Sequence, residues 1–246
     1  MELIRVRPEL YMITLDFGTA YLWRDENAGG DGGGDENGGG EALTLVDTGI
    51  AGSADAVEAA ILRAGSDPAA LRRIVLTHHH EDHTGSAAEL ARRWGAEVVA
   101  HRLEAPVIRG EREPVPPVLS PFEQELRAGL PPLPPAPPCP VDREVEDGEV
   151  LGFGGGAVVV HVPGHTDGSI ALHLPGPGVL FTGDAVANVG GRTMLGVFNT
   201  DPVRAADALR RLAALPVGTA VFGHGDPVTD GASAALRSAV EQLPQG

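Results

Sequence analysis

The segment Thr77-His78-His79-His80-Glu81-Asp82-His83-Thr84-Gly85 follows directly on the apolar run Ile74-Val75-Leu76. It crowds imidazole and carboxylate groups into one strand-to-loop junction. In extended chain, residues two apart share a side, so His78 and His80 face one way and His79 the other if the strand persists past Leu76. Asp82 and His83, beyond the turn, can aim at a second point close by. Nitrogen and carboxylate donors suit Zn²⁺, or Fe and Mn where oxygen ligands dominate. With His165, Asp184 and His224 downstream, the donors suffice for two divalent ions sharing one water.

His78, His80, Asp82 and His83 resemble the His-x-His-x-Asp-His signature of the metallo-β-lactamase superfamily. Val46-Asp47-Thr48-Gly49 is similar to the family's first motif, Pro163-Gly164-His165-Thr166 to its third, Phe181-Thr182-Gly183-Asp184 to its fourth and Phe222-Gly223-His224-Gly225 to its fifth. All occur in the family's order, from about Asp47 to His224. The resemblance implies a four-layer αββα sandwich in which His78, His80 and His165 hold one ion, Asp82, His83 and His224 the other, and Asp184 bridges them. It implies that Asp47 orients a metal-bound group from behind. A water shared by two such ions loses its proton near neutral pH and can attack an ester-like carbonyl, with Asp82 or the second ion assisting the leaving group.

His79, His101, His161 and His173 read as packed or half-exposed histidines outside the site. Cys139, between prolines, reads as a loop thiol, and a single cysteine allows neither an intrachain disulfide nor a thiolate metal cluster.

The 246 residues, 42% hydrophobic, suit one large domain. No apolar run of about 18 residues offers a membrane span, and Met1-Glu2-Leu3-Ile4-Arg5 lacks the layout of a secretory signal, so a cytoplasmic enzyme is expected. The formal net charge of −16 argues against nucleic acid or anionic membrane as a partner and for a small-molecule substrate. Every basic residue is arginine, which excludes a lysine nucleophile or Schiff base. The sequence does not indicate an oligomeric state.

Two inserts interrupt a regular α/β pattern. Residues 25–41, glycine and acid without an apolar anchor, are expected to form a mobile loop between strands. The second, 106–140, is dense in proline and holds a short helical stretch at Phe122 to Arg127. Elsewhere strands are expected at 3–6, 10–15, 19–23, 42–46, 74–76, 97–100, 144–151, 157–162, 170–174, 179–181 and 220–222. Helices are expected from a Ser53 cap to about Ala64, and over 86–94, 202–215 and 232–243.

Reaction class is better specified than substrate. Many true β-lactamases of the superfamily carry a cysteine in the second site, so Asp184 points away from penicillins. Thioesterases resembling glyoxalase II share the ligand set but add a C-terminal helical substrate domain, for which the roughly twenty residues after His224 leave too little room. Lactonases use a tyrosine near the metals, a position matched by neither Tyr11 nor Tyr21. The expectation is a dinuclear, zinc-type hydrolase of small esters, thioesters or lactones. The alternative is an iron-dependent persulfide dioxygenase, resembled through Gly164-His165-Thr166-Asp167-Gly168, Gly183-Asp184-Ala185 and Gly191-Arg192-Thr193, with one Fe(II) on His78, His165 and Asp184.

Overall fold

The computed structural model describes residues 1–25 and 40–244. The loop expected at 25–41 lies almost wholly outside these described residues.

Strands β1 (Glu2–Arg5), β2 (Leu10–Thr14), β3 (Thr19–Asp25) and β4 (Ala42–Val46) pair antiparallel in chain order. Helix α1 (Ala54–Arg63) then crosses to β5 (Leu71–Leu76), and α2 (Glu81–Thr84) and α3 (Ala87–Trp94) lead to β6 (Glu97–His101). A connection carrying α4 (Ala105–Ile108) and α5 (Pro121–Gly129) reaches β7 (Arg143–Val145), so that β4 to β7 run parallel. The second sheet begins with β8 (Val150–Leu151), β9 (Ala157–His161), β10 (Ile170–Leu174) and β11 (Val179–Phe181), all antiparallel. A hairpin, β12 (Val186–Val189) and β13 (Arg192–Leu195), and helix α6 (Pro202–Ala213) precede β14 (Thr219–Val221), which pairs parallel with β11. Helix α7 (Ala232–Glu241) ends the fold.

Period-two alternation sorts the apolar side chains into layers. Leu10, Met12, Tyr21, Trp23 and Val75 meet Phe153, Val159, Leu172 and Phe181 between the sheets. Their strand neighbours Tyr11, Ile13, Leu22 and Ile74 turn outward onto Val57 and Ile61 of α1 and Leu90 of α3. On the far side Val160, Ala171 and Leu180 pack against Leu209 and Leu212 of α6 and Leu236 of α7. Three cores separate four layers, the expected αββα sandwich.

Two local expectations need correction, and two features add to them. The run 144–151 forms two strands in different sheets, because Gly148, at φ 80°, turns the chain and the Glu149 carboxylate accepts the Glu146 N–H. Ser53 stands at the α1 N-cap without capping it: its φ and ψ of −81° and −5° are helical, and its N–H donates to Ser86 Oγ. The hairpin of β12 and β13 went unforeseen, although Gly190 and Gly191, at φ 58° and 76°, supply the two positive-φ positions of a tight hairpin turn. Cys139 is buried against the helix-side core, which pushes its thiol up to about 11.

Candidate metal centre

Every expected ligand lies just beyond a strand, His78 to His83 after β5, His165 after β9, Asp184 after β11 and His224 after β14, and the supporting Asp47 follows β4. Four of these strands are parallel-paired, so their C-terminal ends open toward one crevice, where open α/β sheets place their ligands. The chain bends immediately after Leu76, yet the rings of His78 and His80 still converge, because His80 stays extended at φ −62° and ψ 152° before α2 begins.

Two groups of donors result. His78 Nε2, His80 Nδ1 and His165 Nε2 lie 3.0 to 3.2 Å from one another. Tetrahedral ligation with Zn–N bonds of 2.0–2.1 Å separates ligand atoms by about 3.3 Å, close to that spacing. In the second group His224 Nε2 is 3.1 Å from Asp82 Oδ2, and His83 Nε2 is 3.6 Å from the same oxygen. Asp184 touches both groups, with Oδ1 3.3 Å from His83 Nε2 and Oδ2 3.2 Å from His224 Nε2 and 3.6 Å from His165 Nε2. His83 Nε2 and Asp184 Oδ1 are buried without a hydrogen bond of acceptable geometry. Orphaned donor atoms facing one another are what a cation would satisfy, and the residues fit a metal centre.

Tautomers are set from outside the cluster. The Val197 carbonyl, 3.1 Å from His165 Nδ1, can only accept, so that nitrogen carries the proton and Nε2 presents its lone pair inward. The Asp47 carboxylate accepts from His83 Nδ1 at 2.9 Å and so aims His83 Nε2 inward. Thr77 Oγ1 spends its proton on Asp47 Oδ2 at 2.8 Å and so accepts from His78 Nδ1 at 3.0 Å. Asp47 stands at φ 59°, a conformation that short polar residues tolerate best.

Charge divides the two groups. Burial foremost, then the neighbouring rings, pushes His78 and His80 below their ordinary range, and burial lowers His165 as well. Three neutral imidazoles thus converge. Burial also opposes a charged His83, but Asp184, Asp82 and Asp47 outweigh it and hold the ring well above 6.5. Asp184 chiefly lifts His224 to about 10. Asp82 falls to about 2, burial being overcome by His83 and His224.

Small residues make the crevice. A Cβ on Gly223 would collide with Asp184 Oδ1 and His83 Cε1, and one on Gly18 would meet the Asp82 carbonyl at 2.8 Å. Two supporting residues escaped sequence reasoning. Glu104, fully buried, accepts from His79 N–H at 2.9 Å, His79 Nδ1 at 2.5 Å, Thr166 Oγ1 at 2.9 Å and Gly168 N–H at 2.7 Å, bolting the His78 to His80 segment to the loop of His165. Its only sequence signal is a lone acid in the run Leu103-Glu104-Ala105. Tyr21 reaches under the site, its hydroxyl donating to Phe222 O at 2.7 Å and accepting from Phe222 N–H at 3.1 Å. Both roles of that hydroxyl are taken, so it braces the His224 loop. His101 and His161 stack on each other at 4.3 Å and, like His173 in β10, stand apart from the donors.

A two-sheet sandwich with histidines and carboxylates gathered at its strand ends defines a class of metalloprotein, and comparison with known proteins agrees. Residues 36–224 match the family model described as the metallo-beta-lactamase superfamily. The Bacillus subtilis protein named probable metallo-hydrolase YflN is 31% identical over 205 residues, 76% of this chain and 77% of that protein. The hydroxyacylglutathione hydrolase of Rhodobacter capsulatus is 36% identical over 63% of this chain, which spans 48% of that enzyme's length. A Cronobacter sakazakii metallo-beta-lactamase variant superposes with a TM-score of 0.72 at 21% identity, covering 98% and 93% of the two chains, a likeness of fold alone. TTHA1623, solved in a di-iron-bound form, superposes with a TM-score of 0.62 at 28% identity over 92% and 95%. The chain belongs to the metallo-beta-lactamase superfamily and stands among its metallo-hydrolases.

Proposed function

We propose that this protein hydrolyses a small ester, thioester or lactone at a dinuclear site, zinc being the metal its donors suit best, with thioesters the leading class. The observation that carries the reading is the convergence of seven donors from four chain segments into two adjoining groups. His78, His80 and His165 would hold one ion, Asp82, His83 and His224 the other, with Asp184 shared. When bound, such ions supply a solvent-derived hydroxide near neutral pH and polarise the substrate carbonyl.

The chain's own groups do the rest. Asp47, directly on His83 and through Thr77 on His78, keeps Nε2 of both rings aimed inward. Asp82, whose Oδ2 lies 3.1 Å from His224 Nε2, can take a proton at its carboxylate and return it to the leaving group. His224, whose side chain is 44% exposed, marks the open side by which substrate would enter. Asp184 in place of cysteine argues against β-lactams. Relatives named hydroxyacylglutathione hydrolase favour a thioester, but the chain spans about half the length of several of them, so recognition of glutathione is not carried over. The net charge of −16 suits a small substrate better than nucleic acid.

Convergence of Asp82, His83 and His224 favours this reading over a mononuclear iron oxygenase on His78, His165 and Asp184, which has no use for the second group. Elemental analysis of protein purified without added metal, with thioester turnover before and after chelation, tests it. About two ions per chain and chelator-sensitive hydrolysis are expected. One iron per chain with oxygen uptake on a persulfide would overturn the hydrolase in favour of the oxygenase.

A further inference from the structure

The proline-rich insert has no core of its own to hold it. Helix α5 has no buried residue, and Val115, Val118, Phe122 and Leu130 are exposed. Among the described residues, two hydrogen bonds join its stretch 113–138 to the rest, and both land on one short turn: Val118 N–H donates to Asn199 O at 2.9 Å, and Phe198 N–H donates to Glu123 Oε1 at 2.8 Å. Glu123 divides its oxygens. Oε2 closes the capping box of α5, accepting from Ser120 N–H at 2.8 Å and Ser120 Oγ at 2.7 Å, which leaves Oε1 for Phe198.

That turn wraps His165. Val197 O accepts from His165 Nδ1 at 3.1 Å, Thr200 N–H donates to His165 O at 3.1 Å, and Asn199 Nδ2 closes the loop on Gly196 O at 2.7 Å. The carbonyl that meets the imidazole and the N–H that meets Glu123 are the two ends of one peptide group, Val197 to Phe198. A trans peptide is planar, so fixing its N–H fixes the direction of its carbonyl. A carboxylate on the N–H also polarises the group and strengthens the carbonyl as an acceptor. Phe198 stands at φ 61°, uncommon for a bulky residue, so this plane needs holding from both sides.

We infer that Glu123 is a positioning residue for His165, acting through the Val197 to Phe198 peptide, and that it couples the insert to the metal centre. The inference rests on His165 being a ligand, the reading given above. Asp47 steers His78 and His83 from the first sheet, and Glu123 steers a third imidazole, His165, from the insert.

The test compares full-length Glu123→Ala, Glu123→Gln, Ser120→Ala and His165→Ala, each checked for native circular dichroism. Zinc affinity is read by chelator competition, the His165 tautomer by ¹⁵N resonance, and the Phe198 amide by hydrogen exchange. Glu123→Ala should weaken zinc binding about tenfold, the lower end for loss of a group supporting a ligand. It should also expose the Phe198 amide to exchange and mix the His165 tautomers. Glu123→Gln, which keeps an acceptor oxygen, should recover part of this. Ser120→Ala, which loses only the cap, should stay within about twofold of native. Should Glu123→Ala match Ser120→Ala in all three readouts while His165→Ala loses zinc, the coupling is wrong and the ligand stands. Should His165→Ala bind zinc as tightly as native protein, the ligand assignment itself is wrong. None of these readouts needs turnover.

Discussion

Asp47 and His83, thirty-six residues apart, meet through a carboxylate oxygen and Nδ1 at 2.9 Å, with both side chains buried. The contact leaves His83 Nε2 facing Asp184. Asn at position 47 keeps the short side chain that tolerates φ 59° and loses the charge. Asp47→Asn should therefore fold normally and bind zinc roughly 10- to 100-fold more weakly, as chelator competition would show. Native affinity would remove Asp47 from any role behind the ligands.

Asp82 carries a charge and a candidate proton-transfer site together. Asp82→Asn should lower thioester turnover by roughly 10²- to 10⁴-fold with the circular dichroism spectrum unchanged. Undiminished hydrolysis would refute the role assigned to this carboxylate.

Gly223 leaves room for the site. Gly223→Ala should abolish metal-dependent turnover, since its methyl would press on Asp184 and His83, whereas Gly129→Ala, with open space around its Cβ, should be neutral. Steady-state rates and metal content of the two variants settle the comparison; equal rates would show that the crevice is looser than its geometry.

Loading the metal should release protons. In the metal-free protein the neighbouring carboxylates raise His83 above 6.5 and lift His224 to about 10, and ligation requires neutral rings. Protons should leave the protein at pH 7, and zinc affinity should rise with pH. Titration calorimetry in buffers of different ionisation enthalpy counts them. Zero release would mean that the rings are already neutral.

Glu104 links acid stability to the site. Burial opposes its ionisation, but His79, Thr166 and Gly168 outweigh that and hold its carboxyl below 4.5. Its contribution is full above 4.5 and fades as pH falls through the lowered value. Glu104→Gln should cost the metal-free protein roughly 3 kcal/mol at pH 7, a difference that narrows on acidification in denaturant titrations. A difference independent of pH would deny the charge that role.

Much of this molecule could be read from its residues because the signals were local. Alternation in Leu10 to Thr14 and Thr19 to Trp23 marks strands whose two faces serve different cores, and the spacing from His78 to His83 survives whether or not the strand continues. The five motifs ordered the donors along the chain. Where local signals compete, reading failed: 144–151 has strand-like content throughout, but Gly148 breaks it, and Ser53 looks like a cap yet gives its N–H to Ser86.

The sequence by itself determined the layered class, the donor types and their order, since periodicity and residue chemistry are properties of neighbours. Only the tertiary structure decided that Asp47 would orient His83, that Glu104 would tie His79 to Gly168, and that Glu123 would reach His165 through a shared peptide. The hydrogen bonds Asp47–His83, Glu104–Gly168 and Glu123–Phe198 join residues 36, 64 and 75 positions apart. Nothing in a linear pattern specifies which distant groups close on one another, because that is set by how the strand ends align when two sheets pack.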